Sequence, residues 1–208
     1  MKDVFAFYKP KGVTSRKFLN EIKRATGIKK WGHGGTLDPL AEGVLVVACN
    51  KGTKSLFSEK LKEKQYLAEI KLGEKSITDD KEGEKEKVSS KMPKREEIEK
   101  VLFSMIGEIE QMPPLFSAVK VEGREAYKMA RKGDLPQLSK RKVFIESIDI
   151  LSYEHPFLKI RVITGPGVYI RSLARDVGEE LSCGAYLYSL LRERVGEFKL
   201  KDCINIKE

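Results

Sequence analysis

The segment from Gly32 to Gly43, GHGGTLDPLAEG, brings together residues that could do chemistry. His33, Asp38 and four glycines lie within these twelve positions, directly before the apolar run Val44–Cys49. Glycines allow the backbone to approach a ligand closely, and Pro39 biases Asp38 away from helical conformation. The pattern predicts a carboxylate presented from a stiffened loop at the start of a strand, where catalytic groups often lie. The competing interpretation is an ordinary turn with a solvated aspartate.

Three further residues could act together with such a carboxylate. Tyr66 begins the alternating run Tyr66–Leu72. Tyr169 is the last residue of the glycine-rich connection 164–169, and Arg171 lies two residues after it. An arginine beside an aspartate keeps it ionised in a desolvated pocket, which suits a nucleophile. A tyrosine can stack on a nucleobase and offer a hydroxyl. The sequence has no phosphate-binding loop, dinucleotide fingerprint or metalloprotease helix, so phosphoryl transfer, redox chemistry and zinc hydrolysis have no support.

The formal net charge of +9 is concentrated in two stretches of the chain. Residues 9–30 hold eight basic side chains against one acid, and residues 120–142 hold eight against three. One alternative explanation of the composition is lysine enrichment for solubility or heat tolerance. The basic helix face at 16–24 could likewise be only a solvated surface. The clustering instead favours a polyanionic partner such as nucleic acid.

Periodic segments must position these residues. The pattern predicts strands at Val4–Tyr8, 44–49, Tyr66–Leu72, Val143–Leu151 and Phe157–Ile163 and helices from an N-cap at Ser15 to Gly27, from about Pro93, and after Tyr169. Gly73–Lys91 predicts a charged surface loop with a hairpin, and 111–142 a long excursion with a short helix near Arg124–Arg131. Strands interspersed with helices and hairpin-length links predict a single α+β domain over residues 1–208, with a mixed or mainly antiparallel sheet.

The rest of the composition narrows the class of protein. No apolar run approaches the ~20 residues that span a bilayer, and the start Met1-Lys2-Asp3-Val4 does not match a signal peptide, so no membrane partner is expected. Three scattered cysteines (Cys49, Cys183 and Cys203) and two histidines predict no metal site and suit a reducing cytoplasm.

Six blocks, in order, resemble the bacterial TruB-type tRNA pseudouridine synthases from Tyr8 to about Asp202. They are YKPKGVTS (8–15), GHGGTLDPLAEGVLVVACNKGTK (32–54), KQYLAEIKLG (64–73), QMPPLFSAVKVEGREAYKMARKG (111–133), TGPGVYIRSLARDVGEEL (164–181) and GAYLYSLLRERVGEF (184–198). The resemblance implies the pseudouridine synthase fold and the isomerisation of uridine to pseudouridine at position 55, in the T loop of tRNA. It implies no cofactor and no metal, and we expect a cytoplasmic monomer.

The resemblance also implies roles for individual residues. Asp38 corresponds to the catalytic aspartate that attacks the target uridine, whether at C1′, at C6 or through a glycal route. Tyr66 corresponds to the tyrosine that stacks on the flipped base and has been proposed as a base for the late proton removal. Arg171 corresponds to the arginine that pairs with the catalytic carboxylate. A buried filler role for Tyr66, and a structural ion pair of Arg171 with Asp176 or Glu179, are the competing interpretations.

Other positions are implied to contact the RNA. Tyr169 and Leu190 correspond to residues that line the uridine pocket, although Leu190 could equally serve ordinary helix packing. His33 corresponds to a histidine that helps to hold the everted nucleotide, although it could only solvate a turn. The excursion 111–142 resembles a mobile insertion that closes over the tRNA arm.

The sequence departs from the family at three places. Gly34 replaces a residue that is commonly Thr or Ser, and Glu42 stands where Thr is usual and puts a negative charge near an RNA-facing loop. Family members usually continue into a C-terminal RNA-binding domain of the PUA type, whereas this sequence ends at Glu208, so we expect weaker tRNA binding with the same target. A guide-RNA-dependent pseudouridine synthase subunit and a non-catalytic tRNA-binding or folding module are the alternative functions.

Overall fold

The computed structural model describes residues 3–58, 62–130, 132–134 and 136–206. The chain folds as two compact units, the first formed by Met1–Leu67 with Ser189–Glu208 and the second by Ala68–Tyr188. That these belong to a single catalytic domain stays a prediction. Arg131, counted above in the second basic stretch and at the end of a predicted helix, lies outside the described residues, as do Met1 and Lys2.

The elements alternate between strands and helices. In chain order the strands are β1 (Val4–Lys9), β2 (Trp31–His33), β3 (Ala41–Cys49), β4 (Lys64–Leu72), β5 (Glu74–Ser76), β6 (Lys85–Lys87), β7 (Gly107–Gln111), β8 (Lys120–Val121), β9 (Arg124–Glu125), β10 (Arg141–Glu154), β11 (Phe157–Thr164), β12 (Ala185–Val195) and β13 (Phe198–Lys199). The helices are α1 (Ser15–Thr26), α2 (Arg95–Ser104), α3 (Ala126–Ala130) and α4 (Ile170–Glu180), with 3-10 turns at Asn50–Phe57 and Leu200–Asp202.

The first unit contains a mixed sheet. Strands β1 and β2 pair antiparallel with β3, and β12 pairs parallel with β3, with Leu190 opposite Ala41. This mixture confirms the predicted α+β class. Its core is made mostly of alanine and valine side chains, with one leucine: Val4, Ala6, Val44, Val46, Ala48, Leu56 and Val195. β3 is buried over nearly its whole length, which explains why it reads as an unbroken apolar run rather than an alternating one.

Helix α1 begins one residue earlier than the capping pattern predicts. Thr14, not Ser15, is the N-cap, since its side-chain oxygen accepts a hydrogen bond from the amide of Lys17. Gly27 ends the helix in the left-handed conformation, with φ at 68°, as expected. Ser15 is therefore the first helical residue, and its hydroxyl does not cap the helix.

The second unit contains a run of neighbouring strands. Strand β10 pairs antiparallel with β11 on one side and with β7 on the other, and β4 lies next to β11 in the sheet. Strand β10 extends a few residues beyond both of its expected ends, and β11 ends one residue later than expected. The charged loop after Gly73 contains the predicted hairpin, β5 paired with β6. The excursion 111–142 contains the predicted short helix as α3.

Strand β7 was not predicted, because its sequence GEIEQ shows only one apolar residue on an edge strand. Helix α2 buries Ile98 and Leu102. Within the described part of the chain, no helix is both long and apolar enough to cross a membrane.

Candidate active site

The loop that carries Asp38 is held at both ends by backbone hydrogen bonds. The amide of Gly34 donates to the carbonyl of Val46 at 2.8 Å, and the amide of Gly12 donates to the carbonyl of Pro39 at 2.8 Å. The amide of Ala41 closes the turn onto the carbonyl of Asp38 at 3.1 Å. Asp38 itself is half-buried. The loop therefore has a defined conformation at the N-terminal end of β3, as the glycines and Pro39 predict, rather than that of a solvated turn.

A buried arginine that the sequence analysis did not single out lies under this loop. The side chain of Arg192, on β12, is among the largest fully buried ones, with the residue 2% exposed. Its Nε donates to the carbonyl of Val44 at 2.8 Å, Nη2 to that of Gly35 at 3.2 Å and Nη1 to that of Thr36 at 3.4 Å. The guanidinium thus joins the first residues of β3 to the loop that leads to Asp38.

Close contact between β3 and β12 requires a glycine beside this arginine. Gly43 pairs with Arg192 in the parallel register and has a φ of 107°. A Cβ atom at position 43 would lie 2.3 Å from the carbonyl oxygen of Arg192. The last glycine of the GHGGTLDPLAEG segment is therefore needed for strand packing.

Tyr66 lies on the buried face of β4, as its alternating pattern predicts. Burial raises the pKa of the Tyr66 phenol, and the nearby Asp38 carboxylate raises it further. The interaction with the positively charged Arg192 acts in the opposite direction and lowers the pKa. The net direction is upward, so the phenol stays protonated at neutral pH. These interactions bring Asp38, Tyr66 and Arg192 into one cluster within the first unit.

His33 ends the short strand β2, opposite Val47 of β3. Burial and the positive charges of Arg16 and Arg192 lower the pKa of its imidazole, so the ring is neutral at neutral pH. Among the described residues, none provides a hydrogen-bond partner for its buried Nδ1. The side chain is therefore not the fully solvated turn residue of the competing interpretation.

Leu190 lies on a strand, so the alternative of helix packing is wrong. It pairs with Ala41 directly after the Asp38 loop, and its side chain is buried. The segment Ala185–Val195 forms a strand because the aromatic and leucine residues at its start suit a buried pleated surface and β3 offers a partner. Leu190 and Arg192 share one face of this strand, as residues two apart must.

Tyr169 and Arg171 belong to the second unit. Tyr169 is the half-buried residue at the start of α4, and its amide donates to Oε1 of Gln111 at 2.8 Å. The Arg171 guanidinium is buried, lies 3.8 Å from the Asp80 carboxylate, and donates to the carbonyls of Thr78 and Phe116. The acid beside Arg171 is thus Asp80 rather than the Asp176 or Glu179 suggested by the sequence. Its pairing with Asp38 stays a prediction.

Arg175, one turn further along α4, binds two other acids. Its guanidinium donates to Asp79 at 2.9 Å and to Asp176 at 2.8 Å, and also to the carbonyl of Met112. Burial raises the pKa of Asp79 to about 6, although Arg175 and Arg171 act against that rise. The hairpin, α4 and the start of the 111–142 excursion are thereby joined by charged groups.

The unusual acid Glu42 is neutralised locally. Tyr8 donates to it at 2.7 Å, and Lys11 forms an ion pair with it at 2.9 Å. Burial alone would raise its pKa, but these two partners bring it below its usual value. The negative charge expected near the RNA-facing loop is therefore offset by a cation from the YKPKGVTS block.

The structure brings together Asp38, Tyr66, His33 and Leu190 in the first unit and Tyr169 and Arg171 in the second. The sequence pattern did not indicate Arg192, and it indicated Ser15 only as a helix cap, whereas the Ser15 hydroxyl bonds to the backbone of Leu37, the residue before Asp38. A signal for Arg192 exists, because an arginine two residues after a buried leucine on a strand must lie on the same face. The described residues contain no cluster of His, Cys, Asp and Glu suited to a metal ion.

Comparison with known proteins gives concordant matches. The sequence model described as TruB family pseudouridylate synthase (N terminal domain) matches residues 23–170. The tRNA pseudouridine synthase B of Phocaeicola vulgatus is 42% identical over 215 residues, which cover 99% of this chain and 90% of that protein. That of Clostridium acetobutylicum is 41% identical over 208 residues, covering 100% and 72%.

Solved structures with the same fold come from larger assemblies. A chain in the crystal structure of a Cbf5-Nop10-Gar1 complex is 32% identical with a TM-score of 0.76, and the match covers 98% of this chain and 52% of that one. A chain in the structure of an H/ACA RNP bound to a substrate RNA containing 2′-deoxyuridine is 29% identical with a TM-score of 0.72, covering 98% and 50%. This chain spans about half the length of those solved chains.

Proposed function

The chain belongs to the TruB family of pseudouridylate synthases, and we propose that it isomerises uridine to pseudouridine at position 55 in the T loop of tRNA. The observation that carries this proposal is the arrangement of Asp38 on its tethered loop with Tyr66 and Arg192 beside it. Relatives named tRNA pseudouridine synthase B, about 40% identical over nearly the whole chain, support the choice of tRNA as substrate.

The reaction is an internal rearrangement of the substrate. The C1′–N1 glycosidic bond breaks, the detached uracil turns, and a C1′–C5 bond forms. The proton displaced from C5 leaves, and N1 gains one, so atoms and electrons balance without an oxidant, reductant or cofactor. Asp38 is the nucleophile or base in each route that the family resemblance allows, by attack at C1′, attack at C6 or formation of a glycal.

The other residues bind the base and the carboxylate. Tyr66 stacks on the flipped uracil. Its raised pKa favours this role over late proton removal, because a protonated phenol is a weak base. The family resemblance further implies that Arg171 pairs with the Asp38 carboxylate, that Tyr169 and Leu190 line the uridine pocket, and that His33 supports the everted nucleotide. The lowered pKa of His33 means that it would do so as a neutral imidazole.

RNA binding supplies the energy that flipping requires. Extruding a stacked nucleotide costs a few kcal/mol. Stacking on an aromatic side chain returns roughly 1–3 kcal/mol per base. The exposed basic side chains of 9–30 and 120–142 would contact phosphates, so affinity should fall with salt.

The test is pseudouridine formation on an unmodified tRNA transcript by the purified wild-type chain and by Asp38→Asn, mapped to the nucleotide. Product at position 55 from wild type alone, with equal transcript binding by both proteins, is the expected result. Product elsewhere, or undiminished product from Asp38→Asn, would refute the assignment.

A wild-type chain that binds the transcript without product would point to the alternatives. Activity gained on adding a guide RNA and partner proteins would support the guide-dependent function, and no activity under any condition would support a tRNA-binding or folding module.

A further inference from the structure

A single hydroxyl satisfies both backbone polar groups of the residue before Asp38. Ser15 Oγ donates to the carbonyl oxygen of Leu37 and accepts from the amide of the same residue, both at 2.8 Å. Ser15 is 2% exposed, and Leu37 is buried too. Because one oxygen atom bonds to both the amide and the carbonyl of Leu37, it restrains the two peptide groups that flank Leu37, and so the backbone that enters Asp38.

The two residues before Leu37 are held by Arg192. Its Nη2 and Nη1 donate to the carbonyls of Gly35 and Thr36, while its Nε is anchored on Val44 of β3. A planar guanidinium with fixed donors can bridge such separate acceptors, which a lysine ammonium on a flexible stem cannot do with the same geometry. Three consecutive residues, 35 to 37, are therefore tied by two side chains from α1 and β12.

Neither side chain is needed to complete its own element. The N-cap of α1 is Thr14, so the helix start does not use the Ser15 hydroxyl. Arg192 occupies a fully buried strand position, where an apolar residue would be cheaper to desolvate. Both polar groups instead converge on the loop.

We propose that Ser15 and Arg192 are positioning residues, which hold residues 35–37 so that the Asp38 carboxylate points at the reacting base. The inference rests on the proposed function. Arg192 also reaches the base-stacking side, because its guanidinium lies close to the Tyr66 phenol. The same arginine thus borders both the carboxylate loop and the tyrosine.

The first test is Ser15→Ala, with Thr14→Ala as the matched control. Both variants remove one hydroxyl at the start of α1, but only Ser15→Ala frees the Leu37 backbone. We expect Ser15→Ala to lower the single-turnover rate about 10- to 100-fold while tRNA Kd stays within about twofold of wild type, as for a misplaced catalytic group. Thr14→Ala should lose helix stability and keep the rate.

The second test is Arg192→Lys and Arg192→Met, with Arg194→Met as the control on the same strand. Arg194 bonds to Gln65 and Gly196 and pairs with Glu63, away from residues 35–37. We expect Arg192→Lys to stay folded and to keep the tRNA Kd but to lower the single-turnover rate. The lysine keeps the positive charge but lacks the planar set of N–H donors that bridges the three carbonyls. Arg194→Met should keep the rate.

Amide hydrogen exchange separates failure of this inference from failure of the proposed function. The Leu37 amide, which donates to Ser15 Oγ, should exchange faster in Ser15→Ala than in wild type or Thr14→Ala, whatever reaction the protein performs. Equal exchange in all three, or faster exchange with an unchanged rate, overturns the positioning role. If wild type itself forms no pseudouridine, the proposed function fails, and the exchange result alone decides whether Ser15 holds the loop.

Discussion

The guanidinium of Arg171 and the carboxylate of Asp80 lie 3.8 Å apart with side chains only 7% and 5% exposed. Asp80 also accepts hydrogen bonds from the Thr78 hydroxyl at 2.6 Å and the Glu82 amide at 2.9 Å. Arg171 donates to the carbonyls of Thr78 and Phe116. The pair therefore joins the β5–β6 hairpin to α4 and to the start of the 111–142 excursion, all within the second unit.

Breaking this pair should destabilise the protein. Removing one partner of a buried ion pair leaves the other charge uncompensated, so Arg171→Met is expected to lower the free energy of unfolding by about 3–5 kcal/mol. Asp80→Asn should cost less than Arg171→Met, because the amide keeps a hydrogen-bond acceptor. Urea denaturation of both single variants and the double variant measures the coupling. Arg95→Met, which loses only the exposed pair with Glu99, is the control, and equal losses at both sites would contradict the prediction.

Asp79 should make stability depend on pH. Burial raises its pKa to about 6, above the 3.8 expected in the unfolded chain, so the native state binds the extra proton in this window. Raising the pH from about 4 to about 6 therefore lowers the free energy of unfolding, by up to about 3 kcal/mol at 1.36 kcal/mol per pKa unit. Asp79→Asn removes this dependence.

The measurement is urea denaturation of wild type and Asp79→Asn from pH 4.5 to 7.5. The free energy of wild type minus that of the variant should fall across the window and level off above about pH 7. Asp149→Asn, at an exposed position on β10, is the matched control. A difference that is flat, or that rises with pH, would show that the Arg175 ion pair outweighs burial.

Tyr66 offers a test of ring against hydroxyl. Tyr66→Phe keeps the stacking surface, and Arg192 keeps its three carbonyl acceptors, so we expect kcat/KM within about tenfold of wild type. Tyr66→Leu loses roughly 1–3 kcal/mol of stacking, a drop of about 5- to 150-fold. The measurement is kcat/KM of both variants on the tRNA transcript. If Tyr66→Phe lowers kcat/KM as much as Tyr66→Leu does, the essential group is the phenol hydroxyl rather than the ring.

The elements with strong local signals were predictable from the sequence. Helix α1 has apolar residues at helical spacing and a glycine at its end, and β4 alternates cleanly, so Tyr66 was expected on a buried surface and found there. Asp38 was expected on a constrained loop before a strand, because the glycines and Pro39 restrict that segment locally. Each of these predictions uses only neighbours in sequence.

The features that were missed depend on distant partners. Ser15 bonds to Leu37 across 22 positions, and Arg192 bonds to Gly35 across 157. Serine and threonine are both good N-caps, so the local pattern does not distinguish Ser15 from Thr14. Only the tertiary bond of Ser15 to Leu37 shows that Thr14 is the cap. The strand conformation around Leu190 likewise depends on its pairing with β3, which no local pattern specifies.

The basic face of α1 should contribute to RNA binding through charge alone. Lys17 and Arg24 are exposed on a helix whose buried face is Phe18, Leu19 and Ile22. If Lys17 contacts a phosphate, Lys17→Ala should weaken tRNA binding at low salt and reduce the slope of log K against log salt by about 1. Lys100→Ala, at an exposed position of α2 outside both basic stretches, is the matched control and should leave the slope unchanged. Filter binding from about 50 to 200 mM salt covers the range where phosphate contacts dominate. Identical slopes for Lys17→Ala and wild type would mean that this helix face is only a solvated surface.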